Sequence, residues 1–372
     1  MTAPRVLFLT PEEPKAGSGG GGLRSASLLA YLQNKYDVHM VNFSLRLHSR
    51  RPEARVWRNT LRLLRGRPPL FDRFSGYENQ LAGAMLGRYA VGVVEHFWCA
   101  SYAPLLRSCC DRLVVDLHNI ESELARTHAQ AARWPASWAS KRFAASYRRL
   151  ESEWLPQFDV ILAASEEDRR RVDHPDVRVF PNALPEIPRP NVVGANATER
   201  DVIVFSGNLE YHPNVEAVRW FRQRIWPRVR AEAPEIEWRL LGSNPDAVAR
   251  FTGGDPRIRV VSPIEDAVAH LAKAKVCLAP LHSGSGTRFK ILEAWAAGRA
   301  VVSTTLGAEG LGARDGEHLL LADDPDDFAN AVLRLLKDPR LRARLGDSGW
   351  ALYRERFTWP AAWRKLDEAG GI

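Results

Sequence analysis

The sequence predicts an α/β protein with two doubly wound, Rossmann-like domains. Three observations favour this class: short apolar runs alternate with helical patterns, a proline-rich stretch at 181–190 interrupts them, and the alternation then restarts. Strand–helix alternation is typical of mostly parallel sheets with helices on both faces. The 372 residues are enough for two such domains. We therefore expect ligands at the carboxyl ends of the strands, in a cleft between two facing domains.

Individual elements follow from apolar runs and helical spacing. Residues 142–154 are predicted as a helix because Phe143, Tyr147, Leu150 and Trp154 recur at steps of three and four. Another helix is predicted at 23–33, and residues 339–372 are helical in pattern. Strands are predicted at 6–10, 38–43, 91–95, 113–117 and 160–164 in the first half, and at 202–206, 238–241, 258–261, 276–281 and 300–304 in the second.

The same pattern predicts the domain boundaries. The N-terminal domain is expected at 1–182 and the C-terminal domain at 201–355. Residues 183–200 are expected to be a linker, because its first part is too proline-rich for a helix or a strand. A last helix, within 356–372, is expected to pack back on the N-terminal domain.

Composition limits the class of protein. Hydrophobic content is 45%, charged content is 26%, and no apolar run approaches the ~20 residues that span a bilayer. We recognise no export signal, and the four cysteines lack disulfide or metal spacing. We therefore expect a cytoplasmic protein with reduced thiols.

The basic residues are unevenly distributed. The net charge is +8, and nine arginines lie between residues 46 and 73. This cluster predicts either a solvated helical surface or a contact with anionic lipid headgroups, on the inner face of the cytoplasmic membrane. No nucleic-acid-binding signature is present, so nucleic acid is not an expected partner.

A glycine-rich turn between a buried strand and a helix is the strongest candidate site. Backbone N–H groups at a helix N-terminus bind phosphate, and two cations, Arg288 and Lys290, belong to the same turn. Glu293, one turn further, can accept hydrogen bonds from sugar hydroxyls. The segment predicts a nucleotide-sugar site, and the alternative is a helix start with incidental basic residues. It comprises Ser283, Gly284, Ser285, Gly286, Thr287, Arg288, Phe289, Lys290, Ile291, Leu292 and Glu293.

Two features of the first half are further candidates. The glycine run 17–22 is predicted either as a loop that contacts phosphate or acceptor, or as a flexible surface loop. Its candidate residues are Gly19, Gly20, Gly21 and Gly22. His118 and His96 follow predicted strands, where a histidine can exchange a proton near neutral pH. A structural role is the alternative for both histidines.

A loop of the second half follows its first strand. Gly207 permits close backbone approach, and Asn208 and His212 are polar groups that could face a diphosphate. The alternative is an ordinary strand-to-helix turn, with Asn214 as the helix cap. No cluster has metal-ligand spacing, so we expect no metal and no cofactor.

These segments resemble retaining glycosyltransferases of family 4 (group 1), which have the GT-B fold. The resemblance is strongest at 284–304, which is similar to the family's donor-binding segment. Residues 163–168, 180–182 and 315–321 also match, so the resemblance covers nearly the whole chain.

The resemblance implies a division of labour between the domains. The C-terminal domain would bind a nucleoside diphosphate sugar and the N-terminal domain a glycan or lipid-linked acceptor. Arg288 and Lys290 would neutralise the diphosphate, Glu293 would hold the ribose, and His118 would face the reacting sugar. The other implied donor-binding residues are Gly207, Asn208, Ser285, Gly286, Thr287 and Leu292.

Two departures from the family pattern concern the donor. Ser285 stands where the family has its first glutamate, and the usual cations of the first donor-side loop are missing at 207–213. We expect Arg288 and Lys290 to carry more of the phosphate neutralisation as a result.

The expected activity is metal-independent transfer of a hexosyl group with retention, in bacterial polysaccharide or glycoconjugate synthesis. Two alternatives remain open: a nucleotide-sugar 2-epimerase, for which no acid–base set can be assigned, and a non-catalytic nucleotide-sugar-binding protein.

Overall fold

The computed structural model describes residues 3–11, 13–14, 19–45, 52–131, 134–190, 201–264, 266–284 and 288–372. The chain forms two compact units. The first comprises Met1–Pro181 and Trp363–Ile372, and the second comprises Asn182–Ala362.

The first unit contains a six-stranded sheet in the order β2-β1-β3-β4-β5-β6, in which every paired strand is parallel. Its strands are β1 (Arg5–Thr10), β2 (Asp37–Asn42), β3 (Tyr89–Glu95), β4 (Cys110–Asp116), β5 (Val160–Ala163) and β6 (Val177–Val179). Its helices are α1 (Gly19–Gln33), α2 (Pro52–Arg65), α3 (Pro69–Arg73), α4 (Glu78–Ala84), α5 (Ala103–Arg107), α6 (Glu121–Ala131), α7 (Ala136–Trp154) and α8 (Glu166–Arg171), with single 3₁₀ turns at Phe97–Tyr102 and Leu155–Gln157.

The second unit repeats this architecture, with the parallel order β12-β11-β10-β7-β8-β9. Its strands are β7 (Val202–Ser206), β8 (Glu237–Leu241), β9 (Ile258–Val261), β10 (Val276–Ala279), β11 (Val301–Ser303) and β12 (Leu320–Leu321). Its helices are α9 (His212–Trp220), α10 (Trp226–Glu232), α11 (Ala249–Thr252), α12 (Ala267–Leu271), α13 (Phe289–Ala296), α14 (Pro325–Lys337) and α15 (Pro339–Arg356), with a π turn at Phe221–Ile225 and a 3₁₀ turn at Pro245–Val248. The last helix, α16 (Trp359–Glu368), begins in the second unit and ends in the first.

Burial explains why the strands could be recognised. The residues of β7 and β10 are all buried, and so are most residues of β1, β3 and β4. Parallel strands covered by helices on both faces are continuous apolar runs rather than alternating ones. The two-domain α/β prediction is therefore confirmed.

Several element boundaries differ from the predictions. β10 ends at Ala279 rather than at residue 281, because Pro280 has no N–H to donate to the ladder. The strands β6 and β12 were not predicted, since three- and two-residue edge strands give too short an apolar run.

The glycine run was wrongly predicted as a loop in its described part. Gly19–Gly22 form the first turn of α1. Glycine disfavours helix by about 1 kcal/mol per residue, but the following turns hold α1 in place through buried Arg24, Leu28 and Leu32. Residues 17 and 18 lie outside the described residues.

The described part of the predicted linker is fixed to the second unit. Leu184 donates to the carbonyl oxygen of Phe357 and accepts from the amide of Trp359, each at 2.9 Å. Ala183 and Leu184 are buried. Residues 183–190 are therefore part of the second unit, because the apolar side chains of Ala183 and Leu184 are buried there. Residues 191–200 lie outside the described part.

The C-terminal residues pack against α1 in the first unit. Trp363 Nε1 donates to the carbonyl oxygen of Ser27 at 3.1 Å, and the Tyr31 hydroxyl donates to Asp367 at 2.6 Å. The part of the C-terminus that joins the first unit begins at Trp363 rather than at residue 356.

Helix α2 turns apolar side chains outward. Val56 and Trp57 are each 66% exposed and Leu64 is 69% exposed, whereas Arg62 is buried and donates to Asp72 at 2.8 Å. The arginine cluster is therefore not a uniformly basic surface. Among the described helices, none is long and apolar enough to cross a bilayer.

Candidate functional site

Two glycines at the carboxyl ends of β7 and β8 bring their backbones into contact. Gly207 has a φ of 140° and Gly242 a φ of 154°. A Cβ atom at Gly242 would lie 1.7 Å from the carbonyl oxygen of Gly207. No side chain fits at Gly242, so the loop after β7 keeps its contact with the end of β8.

The ammonium group of Lys290 lies beside this glycine pair. Its Nζ donates to Asn214 Oδ1 at 2.6 Å and lies 3.9 Å from the centroid of the Phe205 ring. A Cβ atom at Gly207 would lie 3.4 Å from the same Nζ. Lys290 is in the first turn of α13, so a charged group, a helix N-terminus and a glycine turn meet at one edge of the sheet.

Asn214 is not the helix cap that the sequence suggested. Helix α9 begins at His212, with Tyr211 as its N-cap and Pro213 in its first turn, a position that favours proline. The Asn214 side chain instead connects two loops: Nδ2 donates to the carbonyl oxygen of Asn208 at 2.7 Å while Oδ1 accepts from Lys290.

Lys290 and Glu293 have strongly shifted ionisation. Part of the Lys290 side chain stays exposed. Desolvation, and then the charge of Arg288, lower the pKa of its ammonium to about 7 against the opposing effect of Glu293. Burial raises the pKa of the Glu293 carboxyl to about 7, against the effects of Lys290 and of Ser206, whose Oγ donates to Oε2 at 3.3 Å. Such shifts are concentrated at functional sites.

Arg288 stands at the N-cap of α13 and is buried. Gly284, with a φ of 119°, packs against its guanidinium: a Cβ atom there would lie 2.9 Å from Nη2. The positive φ favours glycine at this position. Arg288 and Lys290 therefore bring two cationic side chains to the start of one helix.

The remaining donor-side candidates differ in their placement. Asn208 is exposed, and its Oδ1 accepts from the amide of Glu210 and from Asn244 Nδ2, each at 3.0 Å. Leu292 is fully buried in the core. His212 is exposed and lies 3.6 Å from Glu216. Ser285, Gly286 and Thr287 lie outside the described residues, so their predicted donor contacts stay predictions.

The first unit holds a separate ionic cluster, made of Arg24, Glu95, Asp116 and His118. Arg24 donates through Nε to Asp116 Oδ2 at 2.9 Å and through Nη1 to the carbonyl oxygen of Phe180. His118 Nε2 lies 3.3 Å from Asp116 Oδ2 and 3.5 Å from Glu95 Oε1. All four side chains are buried.

Charge controls ionisation inside the ionic cluster. Burial alone would raise the pKa of Asp116, but Arg24 and His118 hold it well below its usual range. Burial lowers the pKa of His118, yet the two neighbouring carboxylates outweigh this effect and raise it above its ordinary value. The cluster therefore favours a protonated His118 beside an ionised Asp116.

His96 is strained and stacked. Its φ of 65° is unusual for a residue with a side chain and stores about 1–3 kcal/mol. Its ring lies between those of Trp98 and His118, with centroid distances of 4.1 and 3.6 Å. Burial, and then the charge of His118, lower the pKa of His96 well below its usual value.

A pocket of about 380 Å³ opens at the carboxyl ends of β1 and β3 in this unit. Gly21 and Gly22 of α1 and His96 are among its lining residues. Its lining combines apolar and polar side chains: Leu45, Leu70, Phe74 and Trp98 with Thr10, Glu13, Ser25 and Arg73. Gly21, Gly22 and His96, all predicted from the sequence, therefore meet at one described cavity.

One group of residues with metal-ligand side chains is not apparent from spacing along the sequence. Donor atoms of Glu95, Asp116 and His118 lie within 4.8 Å of one another. Glu95 ends β3 and Asp116 ends β4, and the two residues are partners in register, which a search along the sequence cannot detect. Arg24 already neutralises Asp116, which weakens the case for a cation there. The absence of a metal stays a prediction.

Comparison with known proteins supports the GT-B fold and a similarity to group 1 glycosyltransferases in the second unit. Residues 200–338 match the family described as glycosyl transferases group 1. The structure resembles sucrose-phosphate synthase from Thermosynechococcus elongatus, with a TM-score of 0.72, 19% identity and 98% of each chain covered. It also resembles an Anabaena protein solved with UDP-glucose, with a TM-score of 0.63, 14% identity and 98% of each chain covered. The GT-B fold and the resemblance to group 1 are confirmed.

Curated relatives match over shorter segments. An uncharacterized 44.6 kDa protein in the cps region of Klebsiella pneumoniae is 26% identical over 144 residues, 37% of each chain. A phosphatidyl-myo-inositol mannosyltransferase of Mycolicibacterium smegmatis is 32% identical over 123 residues, 32% of each chain. The alignments span about a third of the length of these relatives.

Proposed function

We propose that the chain transfers a sugar from a nucleoside diphosphate sugar to a hydroxyl group of a glycan or lipid-linked acceptor. One observation carries the proposal: Lys290 and Arg288 stand at the N-terminus of α13, beside the glycine pair at the ends of β7 and β8. A diphosphate is the ligand that this arrangement fits, because helix N-terminal N–H groups and fixed cations both favour phosphate oxygens. The group 1 family match over this unit supports the same ligand.

The chemistry needs a good leaving group. When the bond between the anomeric carbon and the phosphate oxygen breaks, negative charge develops on the departing diphosphate. Fixed positive charge at that position is the largest contribution that a protein can make to such a step. Arg288 and Lys290 would supply it. With a pKa of about 7, Lys290 gains a proton readily when a phosphate approaches.

Glu293 is proposed to bind sugar hydroxyls of the donor. Its carboxylate stands one turn after Lys290, with Ser206 as a hydrogen-bond donor to one oxygen. Retention of configuration and independence from metal ions are further parts of the proposal. In such a reaction the acceptor hydroxyl would give its proton to the departing diphosphate, so no protein nucleophile is required.

The acceptor is assigned to the first unit. The 380 Å³ pocket combines an apolar wall with hydroxyl, carboxylate and guanidinium groups, which suits a sugar or polyol carrying an apolar neighbour. The M. smegmatis relative is named as acting on a phosphatidylinositol, and the K. pneumoniae relative comes from a cps region. These names support a role in bacterial glycolipid or polysaccharide synthesis.

We further propose that the protein works on the inner face of the cytoplasmic membrane, as a peripheral protein. Exposed Trp57 and Leu64 on α2, with exposed Arg65 and Arg67 beyond them, suit an interface that is apolar below and anionic above. In a co-sedimentation experiment at low salt, the wild type should bind anionic vesicles, and Trp57→Ser should bind them more weakly. Failure of the wild type to bind would contradict the membrane assignment alone.

The function is tested with a panel of nucleotide sugars that includes UDP-glucose and GDP-mannose. A true donor should raise the melting temperature, since a ligand that binds the folded state stabilises it by mass action. Product analysis with that donor and candidate acceptors should then give a new glycoside with the anomeric configuration of the donor. An epimerised donor would contradict transfer, and failure of every nucleotide sugar to bind would contradict the whole proposal.

A further inference from the structure

Glu95 is a buried carboxylate with few groups that could balance its charge. It is fully buried, and among the described residues neither carboxylate oxygen has a hydrogen-bond partner. The positive group at ion-pair distance is His118 Nε2, 3.5 Å from Oε1. A buried carboxylate with no positive partner is strongly unfavourable. A protonated His118 would therefore stabilise the Glu95 carboxylate, just as that carboxylate would stabilise the charge on His118.

Arg24 is not the positive partner of Glu95, because its guanidinium donates to Asp116 and to the Phe180 carbonyl oxygen. Counting formal charges, Glu95 and Asp116 contribute two negative groups and Arg24 one positive group. A protonated His118 brings the sum to zero, whereas a divalent cation with a neutral imidazole would leave an excess positive charge beside Arg24. A proton on His118 therefore suits the cluster better than a metal ion.

We propose that Glu95 is a positioning residue that, with Asp116, keeps His118 as an imidazolium in one ring orientation. Nε2 faces the two carboxylates, and Nδ1 faces the first turn of α1, 3.8 Å from where a Cβ atom of Gly21 would stand. Gly21 also lines the first-unit pocket. His118 then acts as a fixed cation and hydrogen-bond donor in the transfer reaction, and does not accept the proton of the acceptor hydroxyl. Its use in catalysis rests on the proposed function.

The groups around His118 come from four elements. Arg24 comes from α1, Glu95 ends β3 and is followed by His96, Asp116 ends β4, and Glu121 begins α6. Glu121 differs from Glu95 because Trp98 Nε1 donates to it at 2.8 Å, and burial raises its pKa to about 7. It is therefore the matched buried carboxylate for a control.

The test compares wild type, Glu95→Gln, Glu95→Asp and Glu121→Gln. Imidazole signals are followed by NMR across pH, with the His118 signal assigned from its loss in His118→Gln. We expect the wild-type His118 to titrate at higher pH than an ordinary histidine. Glu95→Gln should move its midpoint to lower pH, because one neighbouring negative charge is removed without a change of shape. In Glu95→Asp the His118 midpoint should return most of the way to the wild-type value. Glu121→Gln should shift the His118 midpoint less than Glu95→Gln does.

Activity supplies a second readout. With a donor identified in the nucleotide-sugar panel, Glu95→Gln should lose about tenfold more activity at alkaline pH than at acidic pH. A shift of one pH unit in the His118 midpoint corresponds to this tenfold factor. An equal loss at all pH values with an unmoved His118 midpoint would mean that Glu95 is merely structural, and would overturn the proposal. So would an ordinary His118 titration in the wild type, or a stoichiometric divalent metal in the purified protein. If no donor is turned over, the proposed function fails, but the NMR titration still decides whether Glu95 holds His118 protonated.

Discussion

The two units concentrate charge in opposite ways. In the first unit, Asp116 pairs with Arg24, and Asp116 and Glu95 both lie beside His118, which they favour in its charged form. The opposite charges of this cluster therefore lie close together. In the second unit, Arg288 and Lys290 stand together, and the nearby carboxyl group of Glu293 has a pKa raised to about 7 by burial. A balanced cluster is already stable without a ligand, whereas an excess of positive charge is relieved when an anion binds. The contrast predicts that the first-unit cluster is a balanced scaffold that holds His118 as a cation, and that the second-unit group binds an anion.

The largest expected effect is on stability, from Arg24→Met. The change leaves Asp116 buried without its principal partner and should lower the free energy of unfolding by about 3–5 kcal/mol. Denaturant titration gives the measurement. Arg88→Met is the control, because Arg88 pairs with Asp111 at an exposed site where such pairs contribute at most about 1 kcal/mol. Similar small losses in both variants would contradict the view of the first-unit cluster as a balanced scaffold.

Lys290→Ala should remove most of the transfer activity while the fold persists. Loss of a positive group at the leaving diphosphate is expected to reduce kcat by about 10²–10³, or about 3–4 kcal/mol in the barrier. Steady-state kinetics measure this effect, and circular dichroism checks the fold. Lys337→Ala, at an exposed lysine of the same unit, should behave as wild type. If Lys290→Ala retains most of its turnover, the cationic site is not the leaving-group site.

Gly242→Ala tests whether glycine is needed there because an added Cβ atom would clash, or only because the backbone has a positive φ. A Cβ atom there meets the carbonyl oxygen of Gly207, so the loop must move, and we expect a loss of about 3 kcal/mol in the free energy of unfolding. Gly254→Ala is the matched control: Gly254 also has a positive φ, of 80°, but nothing lies within 4 Å of an added Cβ. Gly254→Ala should lower the free energy of unfolding by only about 1 kcal/mol, the cost of a positive φ in a residue with a side chain. Equal losses would show that contact between the two loops is unimportant.

The smallest of these effects is expected for Glu293→Ala. Removing a carboxylate that binds sugar hydroxyls should weaken donor binding about tenfold, or about 1.4 kcal/mol. Calorimetric titration of the donor measures this change. Glu232→Ala, at an exposed carboxylate of α10 in the same unit, provides the comparison. Unchanged donor affinity in Glu293→Ala would remove that carboxylate from the site.

The sequence was most informative where one segment contains the whole signal. Arg288, Lys290 and Glu293 lie at the start of one helix, within its N-cap and first two turns, so their proximity follows from helical spacing and needs no tertiary information. Buried parallel strands were recognised for a similar reason, since they are continuous apolar runs. The edge strands β6 and β12 were missed because they are too short to give such a run.

The rest depends on which strands become neighbours. Glu95 and Asp116 meet because β3 pairs with β4, and Arg24 reaches them from α1. Gly242 acquires its importance only because β8 lies beside β7. The glycine run looked like a loop because glycine disfavours helix, but packing of the following turns outweighs that local preference. Pairwise spacing along a chain contains none of this information.

The touching glycines have a consequence for genetic experiments on this protein. In a scan of every substitution at every position, Gly242 should be intolerant even though it carries no reactive group. Intolerance there would report crowding of two main chains and not recognition of a substrate. Sensitivity to replacement near the proposed donor site is therefore a misleading guide to which residues would bind the sugar, unless folding is scored separately from turnover.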